Sequence, residues 1–180
     1  MSNTKKNLLI NYINNLIKDY QDFPQPGILF KDICPVFSDP WAVRNIAKHI
    51  KENSPEFDKI LVLESRGFII GTAISLLYQK PMILARKKGK LPGDCVAVDY
   101  SLEYGKEQVL EVQKNCGIVP GDRVLIHDDV LATGGTALAA SKLVNELGAT
   151  VTGFGFLAQI DSLNGHELLN HNNIYSLIHY

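Results

Sequence analysis

The chain has 180 residues, enough for one domain with a sizeable core, and its 46% hydrophobic and 21% charged content is ordinary for a soluble globular protein. Its formal net charge is −1, so no global field draws in nucleic acid or anionic lipid. Its three cysteines, Cys34, Cys95 and Cys116, are widely spaced with no CxxC pair, which argues against a disulfide framework or a zinc site and for a reducing cytoplasm.

Leu8, Leu9, Tyr12, Ile13, Leu16, Ile17 and Tyr20 recur at helical spacing, so the chain opens with an amphipathic helix. Asn11, Asn14 and Asn15 interrupt that run and make it a poor signal peptide. "DFPQPGILFKDICPVF" is rich in proline and reads as an irregular, extended segment. Ser38 or Asp39 caps a second helix with Pro40 in its first turn; Trp41, Val43, Ile46, Ala47 and Ile50 supply its core face.

From there strands and helices alternate. "KILVLE", "PMILAR", "DRVLIHDD", "TVTGFGFLAQ" and "IYSLIH" read as strands; "GFIIGTAISLLYQ" and "GTALAASKLVNEL" read as helices, the latter ending before Gly148. Strands apolar on both faces, alternating with helices, imply an α/β fold with a central, mostly parallel sheet covered on both sides. "GFIIGTAISLL" is too short to span a bilayer. Residues 87–113 interrupt the alternation: a basic, turn-rich stretch precedes two β-segments around Gly105, which suits a hairpin flap. Ligands in such sheets bind at the carboxyl ends of the strands, which directs attention to the residues after "LVLE", "MILAR" and "LIHDD".

The third of these carries the chemistry. In "LIHDDVLATGGTALAA", residues 125–140, a buried strand runs into Asp128 and Asp129, and a Thr-Gly-Gly-Thr loop then opens a helix. Backbone N–H groups of such a loop converge, the helix dipole adds positive potential, and Thr133 and Thr136 add hydroxyls, so the loop suits a phosphate. No lysine follows the glycines, which excludes the nucleoside-triphosphate loop, and GxGxxG is absent. Carboxylates repel phosphate but accept hydrogen bonds from sugar hydroxyls. One acid alone reads equally well as a turn former; the two acids and the glycine loop together describe a site for a ribose 5-phosphate.

"VLIHDDVLATGGTALAA" resembles the phosphoribosyl-pyrophosphate motif of the type I phosphoribosyltransferases. Together with "DFPQPGILFKDICPVFSDP", "ESRGFIIG", "ARKKGKLPGD" and "YSLEYGKEQVLEVQ", which follow in family order from about residue 20 to 140, the chain resembles the adenine phosphoribosyltransferase family. The resemblance implies a single domain over residues 1–180, with an N-terminal helix and base-binding hood in 1–37 and a flexible flap in 87–113. It implies transfer of ribose 5-phosphate from 5-phosphoribosyl-1-pyrophosphate to N9 of adenine, giving AMP and pyrophosphate in purine salvage, in a cytoplasmic homodimer. Mg²⁺ is the implied cofactor, held through substrate oxygens and water with no direct protein ligand.

By the same resemblance, Ala132, Thr133, Gly134, Gly135 and Thr136 hold the 5-phosphate and Asp128 and Asp129 the ribose hydroxyls. Ser65 and Arg66, in the segment after the first sheet strand, bind pyrophosphate. The family often has a cis non-proline peptide in this segment, a feature no sequence displays. The run "RKKGK" reads alone as a solvated face or nucleic-acid patch; the resemblance makes Arg86, Lys87 and Lys90 pyrophosphate ligands, with Arg86 able to reach a neighbouring subunit. The backbone of Leu29 and Lys31 reads the base edge and Phe30 stacks on the base. Adenine and hypoxanthine present opposite donors and acceptors there, and a mispaired buried polar group costs about 1–3 kcal/mol. Glu103, in "SLEYG", is the acid/base residue, and Tyr104 contacts pyrophosphate or covers the site.

Other features stay outside this scheme. His166 and His171 in "HELLNH" are five apart, about 140° around a helix, and do not share a metal-binding face. His127 is either a satisfied core histidine or a pH-sensitive neighbour of the acids. Cys34 stands where the family usually has a small hydroxyl residue. Two rivals remain: a phosphoribosyltransferase for hypoxanthine or xanthine, against which the proline-rich segment and "SLEYG" count, and a purine-responsive DNA-binding regulator, which needs a basic extension this sequence lacks.

Overall fold

A computed structural model describes residues 3–101, 107–171 and 173–180. Two compact units divide the chain, Met1–Ile46 and Ala47–Tyr180.

In the first unit, α1 (Asn3–Leu16) precedes an antiparallel pair, β1 (Lys18–Gln21) and β2 (Leu29–Asp32), and a single turn of helix, α2 (Cys34–Phe37). The sequence extends the first helix through Tyr20; the structure ends it at Leu16 and puts Tyr20 on β1, opposite Phe30. Pro24 and Pro26 lie just ahead and disfavour helix in the residues before them. Pairing with β2 satisfies the backbone instead. The segment expected to be irregular therefore contains a strand and a helical turn. The loop between the strands is fixed by the Asp22 carboxylate, which accepts the Gly27 N–H at 2.7 Å. Gly27 lies at φ +87°, a conformation that favours glycine.

Helix α3 (Pro40–Glu52) contains the boundary between the units. Asp39 Oδ1 accepts the N–H groups of Trp41 and Ala42 at 2.8 and 2.9 Å, so of the two candidate caps Asp39 serves. Trp41 is not a core residue: it is 52% exposed and stands edge-on to Tyr12 at 4.8 Å, while Ala42, Ile46, Ala47 and Ile50 are buried. Val43 is half-buried.

The second unit contains β3 (Lys59–Leu63), α4 (Gly67–Tyr78), β4 (Met82–Lys87), β5 (Cys95–Ser101), β6 (Glu107–Gln113), β7 (Arg123–Leu131), α5 (Gly135–Glu146), β8 (Thr150–Gln159), a 3₁₀ turn (Asp161–Leu163), α6 (Gly165–Leu169) and β9 (Ile174–His179). Among the described residues seven strands form one sheet in the order β5-β6-β4-β3-β7-β8-β9. The run from β4 to β9 is parallel, and β5 and β6 join its edge as an antiparallel pair. This is the expected α/β sheet, and the two β-segments of the interruption pair at its edge. Leu61, Leu63, Ile83, Val124 and Ile126 on the sheet and Ala140, Leu143 and Val144 on α5 belong to the buried core. Removing an aliphatic side chain of that size from water contributes about 1.5–3 kcal/mol. Among the described residues no helix is long and apolar enough to cross a membrane.

The strand order positions the site. β4, β3 and β7 are adjacent and parallel, so the segments after "LVLE", "MILAR" and "LIHDD" leave the same end of neighbouring strands, as the sequence reading requires.

Candidate functional site

At the head of α5, Asp128 and residues Ala132 to Thr136 line a cleft of about 110 Å³. Gly134 caps the helix at φ +84°, and its carbonyl accepts the Leu138 N–H. The first free N–H groups of α5 therefore follow the glycine loop, the arrangement that favours an anion. Close approach is built into the loop. A Cβ on Gly134 would stand 2.6 Å from the Gly165 carbonyl oxygen, and a Cβ on Gly165 would stand 2.1 Å from the Ala132 carbonyl oxygen. Gly165, at the start of α6, thus supports the loop from behind. No motif in the sequence pointed to it.

Asp128 and Asp129 lie near the carboxyl end of β7, Asp128 on the wall of this cleft. Asp128 Oδ1 accepts the Asp129 N–H at 2.8 Å. Asp129 is 5% exposed, and its Oδ2 lies 2.6 Å from Arg66 Nε, an ion pair not aligned as a hydrogen bond. Burial pushes the Asp128 carboxyl well above the usual carboxylate range, and the neighbouring Asp129 adds to the shift; the Asp129 N–H and Arg66 only partly oppose it. Gly67 packs against Asp128, where a Cβ would come within 2.9 Å of Oδ1. The loop after β3 and the end of β7 therefore meet through Arg66 and Gly67, and Arg66 is engaged by Asp129. The Glu64-Ser65 peptide is cis, the feature the resemblance implied.

The basic run is gathered by an acid. Glu64 Oε1 receives the Lys90 ammonium, Oε2 accepts the Lys87 N–H at 2.9 Å, and Arg86 Nε stands 3.4 Å from Oε2. The Glu64 side chain is only 7% exposed. Burial raises its carboxyl, but Lys90, the Lys87 N–H and Arg86 together outweigh burial and hold it below the usual range. Arg86 Nη1 also donates to the Lys90 carbonyl at 3.2 Å. Lys87 is exposed.

Tyr100, on β5, was not singled out from the sequence, although the quoted "YSLEYG" begins with it. A hydrogen bond joins its hydroxyl to that of Thr136. Burial raises the Tyr100 hydroxyl's pKa, Thr136 opposes the shift, and the negative charges of Asp128 and Glu64 add to it. Tyr100 thus links β5 with the first turn of α5. Glu103 and Tyr104 lie outside the described residues.

His127 sits beneath the two acids, wholly buried. Its Nδ1 faces the Gly155 carbonyl at 2.7 Å and so donates to it, while Nε2 has no partner. Burial pushes its pKa down to about 4, against smaller opposing effects of the Gly155 bond and Asp129. It is therefore a neutral core histidine. Among the described residues no group of three or more His, Cys, Asp or Glu is placed to hold a metal ion.

The expected base-binding residues lie in the first unit. Leu29, Phe30 and Lys31 are consecutive on β2, and Leu29 is 49% exposed. Alternate residues of a strand present their backbone groups to the same edge, so Leu29 and Lys31 suit joint recognition. Phe30 is half-buried, stands edge-on to Phe23 at 5.0 Å, and with Tyr20, Phe23, Asp32 and Cys34 lines a pocket of about 420 Å³. Lys31 Nζ pairs with Asp19 at 2.7 Å. Tyr20 and Phe23 are pocket residues the sequence reading missed. Tyr20 fits the helical spacing of the residues before it, and Phe23 carries no signal of its own beside Pro24.

No protein-family model matches the chain. An adenine phosphoribosyltransferase from Nitrosopumilus maritimus is 41% identical over 170 residues, covering 93% of this chain and 99% of that protein. Among solved structures, the adenine phosphoribosyltransferase of Thermoanaerobacter pseudethanolicus matches with a TM-score of 0.89 at 38% identity, over 95% of this chain and 99% of that one. The Saccharomyces cerevisiae enzyme, in complex with an imino-altritol bisphosphate and adenine, matches with a TM-score of 0.87 at 35% identity, over 95% and 99% of the two chains. Likeness in sequence and in fold extends over nearly the whole length, and with it the chain belongs to the adenine phosphoribosyltransferase family.

Proposed function

We propose that the chain transfers ribose 5-phosphate from 5-phosphoribosyl-1-pyrophosphate to N9 of adenine, giving AMP and pyrophosphate, with Mg²⁺, and that it works in purine salvage in the cytoplasm as a homodimer. The observation that carries this reading is the cleft at the head of α5, where a phosphate loop and the carboxylate-bearing end of β7 line one small space. An anion at the loop and hydroxyls at the acids together describe a ribose 5-phosphate. The complex of the yeast relative with adenine supports the choice of base.

Each group has a task set by the chemistry. N9 displaces pyrophosphate from the anomeric carbon through a transition state with oxocarbenium character, so positive charge grows on the sugar and negative charge on the leaving group. Fixed electrostatics aimed at both ends carry most of such catalysis. Residues Ala132 to Thr136 bind the 5-phosphate, and Asp128 and Asp129 accept from the ribose hydroxyls near the growing positive charge. Ser65, Arg66, Arg86, Lys87, Lys90 and Tyr104 serve the pyrophosphate end, and Glu103 handles the purine proton. In the first unit the backbone of Leu29 and Lys31 reads the base edge and Phe30 stacks on it.

The donor set is compatible with a divalent cation carried by the substrate. Asp128 is an acid on the cleft wall, and Asp129 is already engaged by Arg66. Asp128 would be its outer partner, and the bound ion would supply charge neutralisation at pyrophosphate and ribose oxygens. For the homodimer, support comes from α4 of the second unit, which exposes Ile69 and Leu76 at 40% and 75%.

Purified protein, phosphoribosyl pyrophosphate, Mg²⁺ and adenine should yield AMP and pyrophosphate in equal amounts, and a chelator should stop the reaction. Phosphoribosyl pyrophosphate that binds without product formation would point instead to a regulator.

A further inference from the structure

Glu64 is a buried carboxylate whose partners are the cations expected to receive pyrophosphate. Oε1 holds the Lys90 ammonium, and Oε2 holds the Lys87 N–H and faces Arg86 Nε at 3.4 Å. A carboxylate with a side chain 7% exposed needs such partners, because an uncompensated buried charge is costly. Any anion that reaches Lys90 and Arg86 must therefore share them with Glu64 or take them from it. In either case the anion meets a negative charge already in place.

We infer that Glu64 is an internal competitor for the pyrophosphate-binding cations, a positioning residue that weakens pyrophosphate binding and speeds its release. This rests on the transferase reading above. The group that holds Arg86 and Lys90 in place also limits how tightly the departing anion can use them. Binding shared equally by ground and transition states gives no gain in turnover, and a leaving group held too tightly retards the next cycle. The same carboxylate also receives the Lys87 N–H, so the alternative is a purely structural role in shaping the end of β4.

Glu64→Gln separates the two. Glutamine keeps the size and an acceptor for the Lys87 N–H but removes the charge. Titration calorimetry with inorganic pyrophosphate and Mg²⁺ should show the variant binding roughly tenfold more tightly than the wild type, with AMP affinity unchanged. A gain of affinity cannot arise from misfolding. Equal or weaker pyrophosphate binding by a folded Glu64→Gln protein would overturn the inference. In a Lys90→Met background the effect of Glu64→Gln should shrink by more than half; an undiminished effect would equally overturn competition through Lys90. Wild-type AMP formation is measured in parallel. If it is present, a null result in the variant counts against Glu64 alone; if wild type makes no AMP and binds no pyrophosphate, the underlying reading falls and this inference with it.

Discussion

Arg66 Nε stands 2.6 Å from Asp129 Oδ2, so a single ion pair joins the loop after β3 to the end of β7. The pair is asymmetric: the Asp129 side chain is 7% exposed and that of Arg66 is 39% exposed. Arg66→Gln should leave a buried carboxylate without its counter-charge and cost about 1–3 kcal/mol, less than a fully buried pair because solvent screens the arginine. Adding Asp129→Asn should recover much of that loss. Denaturant melts of the two single variants and the double variant measure the coupling, and strictly additive losses would show that the pair does not act as a unit.

Gly165 has no room for a side chain. A Cβ there would stand 2.1 Å from the Ala132 carbonyl oxygen and 2.9 Å from the Gly134 N, both backbone atoms of the loop at the head of α5. Gly165→Ala should displace that loop and lower kcat/KM for phosphoribosyl pyrophosphate by roughly 10²-fold, the scale of a misplacement near 1 Å. Adenine affinity should change little. Steady-state kinetics with each substrate varied in turn tests this, and an equal loss for both substrates would place the damage elsewhere.

The raised carboxyl of Asp128 makes stability depend on pH. The unfolded chain ionises this group near its ordinary value of 3.8, whereas the folded chain holds the proton to higher pH. Folding is thus favoured below the unfolded value and weakened as pH rises toward the folded one. Asp128→Asn removes the penalty. The variant should melt roughly 2–4 °C higher at neutral pH for each kcal/mol relieved, with no such gain near pH 3, and should bind phosphoribosyl pyrophosphate more weakly. Melting curves across pH decide the matter; a lower melting temperature at neutral pH would contradict the burial and like-charge account.

His127 acts in the opposite sense. Its pKa falls from 6.5 to about 4 on folding. Its contribution is present above 6.5 and is lost as pH falls toward 4, by up to about 3 kcal/mol. His127→Leu gives up the bond to Gly155 but should show a flatter decline of stability between pH 6.5 and 4 than the wild type. Chemical denaturation at several pH values in that window measures the slope, and parallel slopes would remove His127 from the acid response.

Much of this was legible in the sequence because burial on both faces leaves long apolar runs. β3, β4, β7 and β8 and the helices after β3 and β7 are legible that way, and the acids near the end of β7 and the glycines after it suggest a chemistry through residue type alone. What escaped depends on contacts distant in sequence. Tyr20 continues the helical period, yet β1 pairs with β2 and turns it toward Phe30. Trp41 is apolar enough for a core, but it stands against Tyr12 at the surface. Gly165 is required only because Ala132 and Gly134 press on it. The resemblance marked the Glu64 segment as a candidate pyrophosphate loop, but nothing in the sequence showed the hold of its carboxylate on Arg86 and Lys90, since that contact exists only once β3 and β4 lie side by side.

The most direct test of the central claim compares bases. With phosphoribosyl pyrophosphate and Mg²⁺ saturating, kcat/KM for adenine is measured against that for hypoxanthine. The proposed backbone recognition at Leu29 and Lys31 predicts a preference for adenine of at least about 30-fold, because hypoxanthine mispairs a donor and an acceptor at about 1–3 kcal/mol each. Comparable rates of AMP and IMP formation, or faster IMP formation, would contradict the account of the base site while leaving the phosphoribosyl cleft in place.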